Sequence, residues 1–411
     1  RRVRNLAGYK TKHVMNITDV DDKMIKAAAE TDPSLEPMAA LQQLAQNFTD
    51  AFFEDMRAVG NDIEAVNFTR ATDNIEAIKR HIEQLLADGY AYKADDGIYF
   101  DIARYSKDHT YGQLSHIDSP SQSKARIDND EYDKESARDF ALWKRQKAGE
   151  PAWDFDDITG RPGWHIECSV MSTSNLGQPF DIHTGGIDLI FPHHENEIAQ
   201  CEGRLARYFV HNNHLMVDGV KMSKSKNNFY TLSDIAEHGH SPLDFRMLIL
   251  QSHFQSTSNF TWQNLEAAHN RLQAWRNLAE LRWQLPDSGD SAQQQIVINL
   301  VEKSKNALFD NLNTPEALKY IDVAVDQLAK NTPNISRQAL NMLIDFIDTV
   351  LGLNIAKSTP DITQELKDLI AVRQVHRANG DYAKSDEVRD SLLSNGILIK
   401  DLPSGVLWAR Q

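Results

Sequence analysis

In the first part of the chain, some segments are short apolar runs and others carry apolar residues at helical spacing. This pattern predicts short strands separated by amphipathic helices. An apolar run at residues 13–17 predicts a strand that follows a helix stopped at Gly8. A helix is predicted to begin near Asp19, and segments 41–56 and 75–87 carry apolar residues at helical spacing. Helix, strand and helix in succession indicate an α/β fold.

The pattern changes over residues 90–142, which predicts a subdomain inserted at about 68–160. Short apolar pieces such as 98–100 are separated by a stretch, 119–139, that is poor in aliphatic residues and predicts a mobile loop. The α/β alternation then returns at 164–171, at 180–183 and in a helix after Pro192. We therefore predict an α/β domain over residues 1–230 with a nucleotide-binding sheet that the insertion splits.

Beyond about residue 230 the strand signals nearly vanish, which predicts an all-helical bundle over residues 231–358. Its helices are predicted at 265–281, 315–328 and 336–351. Thr314 is the expected cap of the second helix, because Pro315 then stands at its first position.

A last unit, residues 359–411, has the pattern of a small α+β module. Two helices should stop at Gly380 and Gly396. Segments 397–400 and 406–408 then predict a hairpin around a turn rich in Pro, Ser and Gly.

Composition narrows the class of protein without naming it. The 411 residues are 41% hydrophobic and 25% charged, as is usual for a globular enzyme. No stretch approaches the roughly 20 apolar residues that span a bilayer, so we expect no membrane association. The net charge of −15 argues against indiscriminate coating of nucleic acid, and an RNA partner would need local basic patches. We expect a cytoplasmic monomer.

Two cysteines, Cys168 and Cys201, are too few for a disulfide framework and favour a reducing compartment.

The chain begins with Arg1 and Arg2 rather than methionine, inside an apparent helix end. We therefore expect that an amino-terminal piece is missing.

The string Lys221, Met222, Ser223, Lys224 and Ser225 predicts a loop that holds phosphates. It follows an apolar run, 215–217, that predicts a strand. Mobile ammonium groups can follow a triphosphate as charge moves onto its leaving pyrophosphate. The alternative for any single pair of nearby lysines is a solvated basic turn.

A second candidate site combines Cys168, His193 and Glu197. Pro192 at the first position of a helix would place His193 and Glu197 four residues apart on one face, and a strand edge could bring the sulfur of Cys168 to that face. Thiolate, imidazole and carboxylate are all zinc ligands. The alternative is a surface His/Glu pair; Cys201, one turn on, is either an extra ligand or a buried structural thiol.

These motifs together resemble a known family. The lysine string resembles the second signature of class I aminoacyl-tRNA synthetases, and segments 16–22, 163–169, 180–200, 216–229 and 377–408 resemble cysteinyl-tRNA synthetases. The resemblance covers essentially the whole chain. It implies a Rossmann-type catalytic domain, ATP with Mg²⁺, and activation of L-cysteine for transfer to tRNA(Cys).

The resemblance also implies roles for individual residues. Cys168, His193 and Glu197 would bind a zinc ion that selects the substrate thiolate, since a hydrophobic pocket separates near-isosteres such as cysteine and serine poorly. Lys224 and Lys221 would stabilise the transition state. The remaining pocket residues implied are Trp164 and Thr18 for the amino acid, and His183, Gly185, Gly186 and Asp188 for ATP.

The resemblance assigns tRNA binding to the helical bundle and anticodon binding to the last module. The matching positions in that module are Arg377, Arg389, Asp390 and Trp408. An exposed aromatic ring with nearby arginines can stack on splayed bases. The alternative for Trp408, and for Tyr382, is that each belongs to the small core of the module.

The chain departs from the family at its beginning. The family's first zinc cysteine and its His-Ile-Gly-His-type ATP signature do not occur in it. We therefore expect a truncated form of a normal enzyme that is inactive alone. Two alternatives remain open: a ligase that passes activated cysteine to a small amine, and a non-catalytic synthetase-like protein that binds tRNA.

Overall fold

The structure is a computed structural model, and it describes residues 1–31, 34–116, 126–127, 139–222, 228–284, 290–332, 334–403 and 405–410. The chain divides into two compact units. The first comprises Arg1–Lys10, Ala58–Asn61 and Leu215–Gln411, and we call it the helical unit. The second comprises Thr11–Arg57 and Asp62–His214, and we call it the α/β unit.

The helices of the described residues are numbered in chain order. They are α1 Arg2–Leu6, α2 Asp22–Thr31, α3 Pro37–Ala58, α4 Ile75–Ala87, α5 Ile102–Tyr105, α6 Trp164–Leu176, α7 Glu195–Gln200, α8 Leu232–Glu237, α9 Pro242–Leu250, α10 Trp262–Glu280, α11 Ser291–Phe309, α12 Thr314–Lys330, α13 Arg337–Phe346, α14 Ile355–Ser358, α15 Gln364–Ala378 and α16 Tyr382–Ser394. A π-helical segment, Ile190–His194, leads into α7, and another, Ile347–Leu351, continues α13.

The strands are numbered in the same way. They are β1 Val14–Ile17, β2 Asn67–Arg70, β3 Ala91–Ala94, β4 Gly97–Phe100, β5 Arg126–Ile127, β6 Asp139–Arg145, β7 Trp153–Phe155, β8 Ile158–Pro162, β9 Phe180–Gly186, β10 Ala206–Asn212, β11 Leu215–Val217, β12 Val220–Lys221, β13 Ser258–Phe260, β14 Ile397–Leu402 and β15 Gly405–Arg410.

Parallel pairing defines the α/β unit. Strand β1 pairs with β2 and β9 pairs with β10, both in parallel. A parallel pair needs a crossover connection, so the intervening helices are a consequence of this pairing. The α/β character predicted from the alternating periods is confirmed.

An antiparallel sheet lies between these two parallel pairs along the chain. Its strand order is β3-β4-β6-β8-β7, with β5 on β6 in parallel. Phe100, Phe140 and Trp143 are buried in the core that it shares with α4. The predicted insertion of about 68–160 overlaps β2, which belongs with β1; the antiparallel sheet itself begins at β3. The polar stretch 119–139 lies almost wholly outside the described residues.

The prediction for the segment around Cys168 is wrong about the type of secondary structure. The residues from Trp164 onward form α6, a helix, instead of the strand edge expected around Cys168. Residues His165, Ile166, Glu167, Ser169, Val170 and Met171 are all buried, so neighbours cover most of the helix circumference and no polar face marks the helical period. Flanking glycines were the available signal: Gly163 caps the start, and Gly177, with φ of 81°, ends the helix.

Helices α10 to α13 form the core of the helical unit, around buried residues that include Leu272, Leu318 and Leu343. The cap of α12 is Asn313, whose side chain accepts a hydrogen bond from Glu316 N at 3.1 Å, so the expected Thr314 cap is displaced by one residue. Helix α11 and strand β13 were not anticipated. Strand β13 has three residues, too few for alternation to be visible, and pairs with β11 in parallel.

The carboxy-terminal residues fold as the sequence predicts. Helices α15 and α16 are followed by glycines with positive φ, 76° at Gly380 and 73° at Gly396. Strands β14 and β15 pair in antiparallel register from Ile397 with Arg410 to Leu402 with Gly405. In the described part of the chain, no helix combines the length and apolarity needed to cross a membrane.

Candidate functional site

The carboxylate of Glu197 is the centre of a buried cluster in the α/β unit. Its Oε1 lies 2.8 Å from Nε2 of His193, and its Oε2 lies 2.6 Å from Nε2 of His183. The side chain is only 1% exposed, and among the described residues neither oxygen accepts a hydrogen bond of acceptable geometry. Burial alone would raise the pKa of Glu197, but the charges of His193 and His183 hold that pKa well below its usual value.

The thiol of Cys168 completes a group of three metal-type ligands, which we call the thiol cluster: Cys168, His193 and Glu197. Their ligand atoms lie within 4.8 Å of one another. Burial, together with the negative charges of Glu197 and Glu167, raises the pKa of the Cys168 thiol well above its usual value. A cation would reverse this effect, since it favours the thiolate.

The donor set fits zinc. Glu197 and Cys168 are acidic groups that lie close together in a buried place, and a cation between the carboxylate and the thiol would compensate the negative charge of both. Sulfur, imidazole nitrogen and carboxylate oxygen are the ligand types that zinc combines. His183, His194 and Glu197 form an overlapping group within the same distance, but this group has no thiol.

Neighbouring side chains orient the ring of His193. Its Nδ1 lies 2.8 Å from Nδ1 of His165, and its ring centroid lies 4.2 Å from that of Trp164. Burial, and then the charge of His193, lowers the pKa of His165 well below its usual value. His165 is therefore neutral, and its Nδ1 can accept a hydrogen bond from the Nδ1–H of His193. With a metal ion at the cluster, a hydrogen bond between the two Nδ1 atoms would leave Nε2 of His193 as the nitrogen that binds the ion.

Strand β1 and the residue that follows it bring two polar side chains close together, Asn16 and Thr18. Asn16 Nδ2 donates to Cys168 Sγ at 3.5 Å and lies 3.2 Å from Oγ1 of Thr18. Trp164 therefore contacts the thiol cluster directly, through His193, and Thr18 is linked to it through Asn16. Their predicted contact with an amino acid stays a prediction.

The glycine turn lies at the carboxyl end of β9. A Cβ at Gly185 would come within 2.8 Å of the buried His194 ring, and one at Gly186 within 2.5 Å of Asp188 Oδ1, so a side chain at Gly185 would displace a buried ring and one at Gly186 would displace the Asp188 carboxylate. The carboxyl ends of parallel strands are where nucleotides bind in α/β sheets. His183 lies on the same strand, but its Nε2 is directed at Glu197.

Glu195 is an organising residue that the sequence analysis did not identify. Its buried carboxylate accepts hydrogen bonds from the backbone N–H groups of residues 112–115, at 2.6 to 3.1 Å. The next residue, Asn196, accepts a hydrogen bond from Tyr111 OH at 2.6 Å. The run of acidic and amide residues at the start of α7 was the only signal, and it equally suits an exposed first helical turn.

The lysine string is only partly described. Lys221 ends β12, which pairs with β11 in antiparallel fashion, with Lys221 opposite Met216. This strand belongs to the helical unit. Lys224 lies within residues 223–227, outside the described residues, so its predicted role stays a prediction.

Cys201 is a structural thiol and not a member of the thiol cluster. It is packed with Phe180, Ile198 and Leu205. Burial raises the pKa of Cys201 to about 12. A thiol held protonated in an apolar core is the second of the two roles considered for this residue.

The predicted tRNA-binding residues of the last module occupy different environments. Arg389 and Asp390 are exposed on α16, and Arg377 pairs with Asp401. Trp408 is only 7% exposed and packs in the module's core with Leu392 and other apolar residues. Stacking of a base on Trp408 is therefore corrected to the core alternative, because its ring is covered, whereas Tyr382 is 66% exposed.

Both the sequence and the structure of the chain are similar to those of known proteins. Residues 1–270 match the family described as the tRNA synthetases class I (C) catalytic domain. The structure is similar to that of Mycobacterium tuberculosis methionyl-tRNA synthetase bound by methionyl-adenylate, with a TM-score of 0.60, 15% identity and coverage of 87% of each chain. The fold and the matched family define a class I aminoacyl-tRNA synthetase.

Curated relatives refine this class. A cysteine-tRNA ligase of Leptospira interrogans (serogroup Icterohaemorrhagiae, serovar Lai, strain 56601) is 39% identical over 429 residues, which cover all of this chain and 89% of the relative. One from Brachyspira hyodysenteriae (strain ATCC 49526 / WA1) is 38% identical over 435 residues, with the same coverage. The chain belongs to the cysteine-tRNA ligase family.

Proposed function

We propose that this protein activates L-cysteine with ATP as cysteinyl-adenylate and transfers the cysteinyl group to tRNA(Cys), with a zinc ion selecting the substrate. The observation that carries this proposal is the thiol cluster, in which a buried thiol, imidazole and carboxylate converge beside Trp164. Bound zinc would supply a soft acceptor for the substrate thiolate. A hydrophobic pocket alone separates substrates that differ by one small group by only roughly 10- to 200-fold.

The residues of the chain have separate tasks in this reaction. Cys168, His193 and Glu197 would hold the ion, while His165 and Asn16 hold the imidazole and the sulfur. The carboxylate of the amino acid attacks the α-phosphorus of ATP, and pyrophosphate leaves. Lys221 and Lys224 would neutralise the charge that develops on pyrophosphate, and Mg²⁺ would accompany the nucleotide.

ATP would lie at the glycine turn, where Gly185 and Gly186 permit close approach of the backbone and Asp188 follows. In the second step a hydroxyl of the terminal adenosine of tRNA attacks the carbonyl carbon of the adenylate, and AMP leaves. Both steps depend on positioning and charge neutralisation more than on a general base.

We assign residues 1–230 to catalysis, with the insertion at about 68–160, residues 231–358 to a tRNA-binding bundle, and residues 359–411 to an anticodon-binding module. Arg377, Arg389 and Asp390 would contact the tRNA, with the exposed ring of Tyr382 available for stacking. We further propose a cytoplasmic monomer.

The test is ATP–pyrophosphate exchange with L-cysteine or L-serine, together with acylation of tRNA(Cys), by the protein that carries this chain. We expect exchange with cysteine at least about 1000-fold above serine, beyond what an apolar pocket provides. Equal rates would refute zinc selection. Exchange without tRNA acylation would instead indicate transfer to a small amine, and tRNA binding without exchange would indicate a non-catalytic binder.

A further inference from the structure

A second group of metal-type side chains lies in the helical unit, and nothing in the proposed reaction uses it. We call it the imidazole cluster: His240, which precedes α9, Asp244 in the first turn of α9, and His269 on α10. One ligand atom from each residue lies within 4.8 Å of the others. We propose that this cluster is a binding site for a zinc-type transition-metal dication.

Asp244 is the buried anion of the cluster. Its side chain is 1% exposed. Oδ2 accepts a hydrogen bond from Ser241 N at 2.7 Å and lies 3.0 Å from His269 Nδ1. Oδ1 is also buried, and among the described residues it has no hydrogen-bond partner. A buried carboxylate oxygen without a partner lowers the stability of the fold, and a cation bound to Oδ1 would supply that partner.

His240 is arranged in the manner of a metal-binding imidazole. Its Nε2 lies 3.6 Å from Oε2 of Glu266, while its Nδ1 is buried without a hydrogen-bond partner in the described part of the chain. A metal-bound histidine usually directs its other ring nitrogen at a carboxylate or a carbonyl, which fixes the tautomer. With Glu266 on the Nε2 side, Nδ1 is the nitrogen left for an ion.

The ligand types select the class of ion. Two imidazoles and one carboxylate suit Zn²⁺ and its neighbours Co²⁺ and Ni²⁺, whereas Mg²⁺ and Ca²⁺ prefer oxygen ligands throughout. Bonds of roughly 2.0–2.2 Å place tetrahedral ligand atoms about 3.4 Å apart, so separations of at most 4.8 Å need to shorten by no more than about 1.4 Å. Both imidazoles are partly exposed, and a rotation of their rings would supply that change.

The charges around the cluster favour a cation on balance. Asp244 and Glu266 contribute two negative charges, and the guanidinium of Arg276 contributes one positive charge that interacts with Asp244. One net negative charge remains when both imidazoles are neutral. Burial lowers the pKa of Arg276, and the charge of Asp244 offsets only part of that effect. Arg276 should therefore weaken the site without preventing binding.

The competing explanation is a helix cap alone. Ser241 and Asp244 form a reciprocal capping box at the start of α9, and this box would hold Asp244 in place without a metal. The cap leaves Oδ1 of Asp244 and Nδ1 of His240 unexplained. It also predicts no effect of Glu266 on metal affinity.

The experiment measures Zn²⁺ and Co²⁺ binding to the whole protein at neutral pH by equilibrium dialysis and absorption spectroscopy. We compare the unaltered chain with His240→Gln and with His238→Gln, a matched control whose imidazole is exposed and stacked on Trp262. A Co²⁺ spectrum distinguishes the two clusters, because thiolate-to-metal charge transfer arises only where a cysteine is bound.

We expect His240→Gln to weaken one site without the thiolate band by more than about 100-fold, and Glu266→Gln to weaken it by about 10-fold. His238→Gln should leave it unchanged. If His240→Gln does not fold, His269→Gln removes the other imidazole and carries the same expectation. Equal binding by the unaltered chain and the His240 or His269 variants would overturn the proposal, whatever happens to cysteine activation.

Discussion

The thiol cluster and the imidazole cluster differ in the softness of their ligands and in how the surroundings hold them. All three ligands of the thiol cluster are held by a wider network: Asn16 donates to the sulfur of Cys168, His165 lies against His193, and Glu195 ties the start of α7, which carries Glu197, to residues 112–115. The imidazole cluster relies on one capping box and on Glu266. A site that must select a substrate needs firmly oriented ligands, which is what the wider network around the thiol cluster supplies.

The largest expected effect is on the thiol cluster itself. Cys168→Ser replaces the soft ligand with a hydroxyl, so zinc affinity should fall by more than about 100-fold and preference for cysteine over serine should collapse. Metal analysis and ATP–pyrophosphate exchange measure the two effects. The control is Cys201→Ala, which should keep its zinc because Cys201 lies in an apolar core. A Cys168→Ser protein that keeps both properties would remove the distinction between the clusters.

Glu195→Gln tests the network that holds the thiol cluster. The amide has one oxygen to replace a charged acceptor of several backbone N–H groups, so the free energy of unfolding should fall by about 2–3 kcal/mol. Denaturant unfolding measures it. Glu83→Gln, on the exposed side of α4, should stay within about 0.5 kcal/mol. A loss at Glu195 no greater than at Glu83 would show that the network does not stabilise the unit.

His165→Leu removes the partner of His193 and keeps a side chain of moderate volume. Zinc affinity of the thiol cluster should fall by about 10- to 100-fold, since the ring of His193 loses its orientation. Competition with a chromophoric chelator measures the affinity. Binding at the imidazole cluster is the internal control and should not change. Equal losses at both clusters would point to general unfolding instead.

Ser241→Ala should have the smallest effect. It removes the side chain that accepts from Asp244 N, which costs about 1 kcal/mol of stability. Thermal or denaturant unfolding measures this, with Ser233→Ala on the exposed face of α8 as the control. A cost much above that of an ordinary cap would mean that Ser241 also supports the imidazole cluster.

Much of the fold and part of the site could be predicted from local patterns. The period of apolar residues placed α4 at its observed bounds, and glycines marked the ends of α15 and α16. The spacing of His193 and Glu197 predicted two ligands on one side, and their nitrogen and oxygen atoms lie 2.8 Å apart. These features depend on residues within a few positions of each other, where backbone geometry alone relates side chains.

Only the tertiary structure decided the rest. Helix α6 is covered around most of its circumference, so no period in its sequence marks it as a helix. His183, His165, Asn16 and Glu195 join the thiol cluster's surroundings, and Trp408 enters a core, through contacts between distant segments. The sequence by itself determined the family and the kinds of ligand; packing determined which of them meet, because burial and convergence depend on the whole chain and not on its local period.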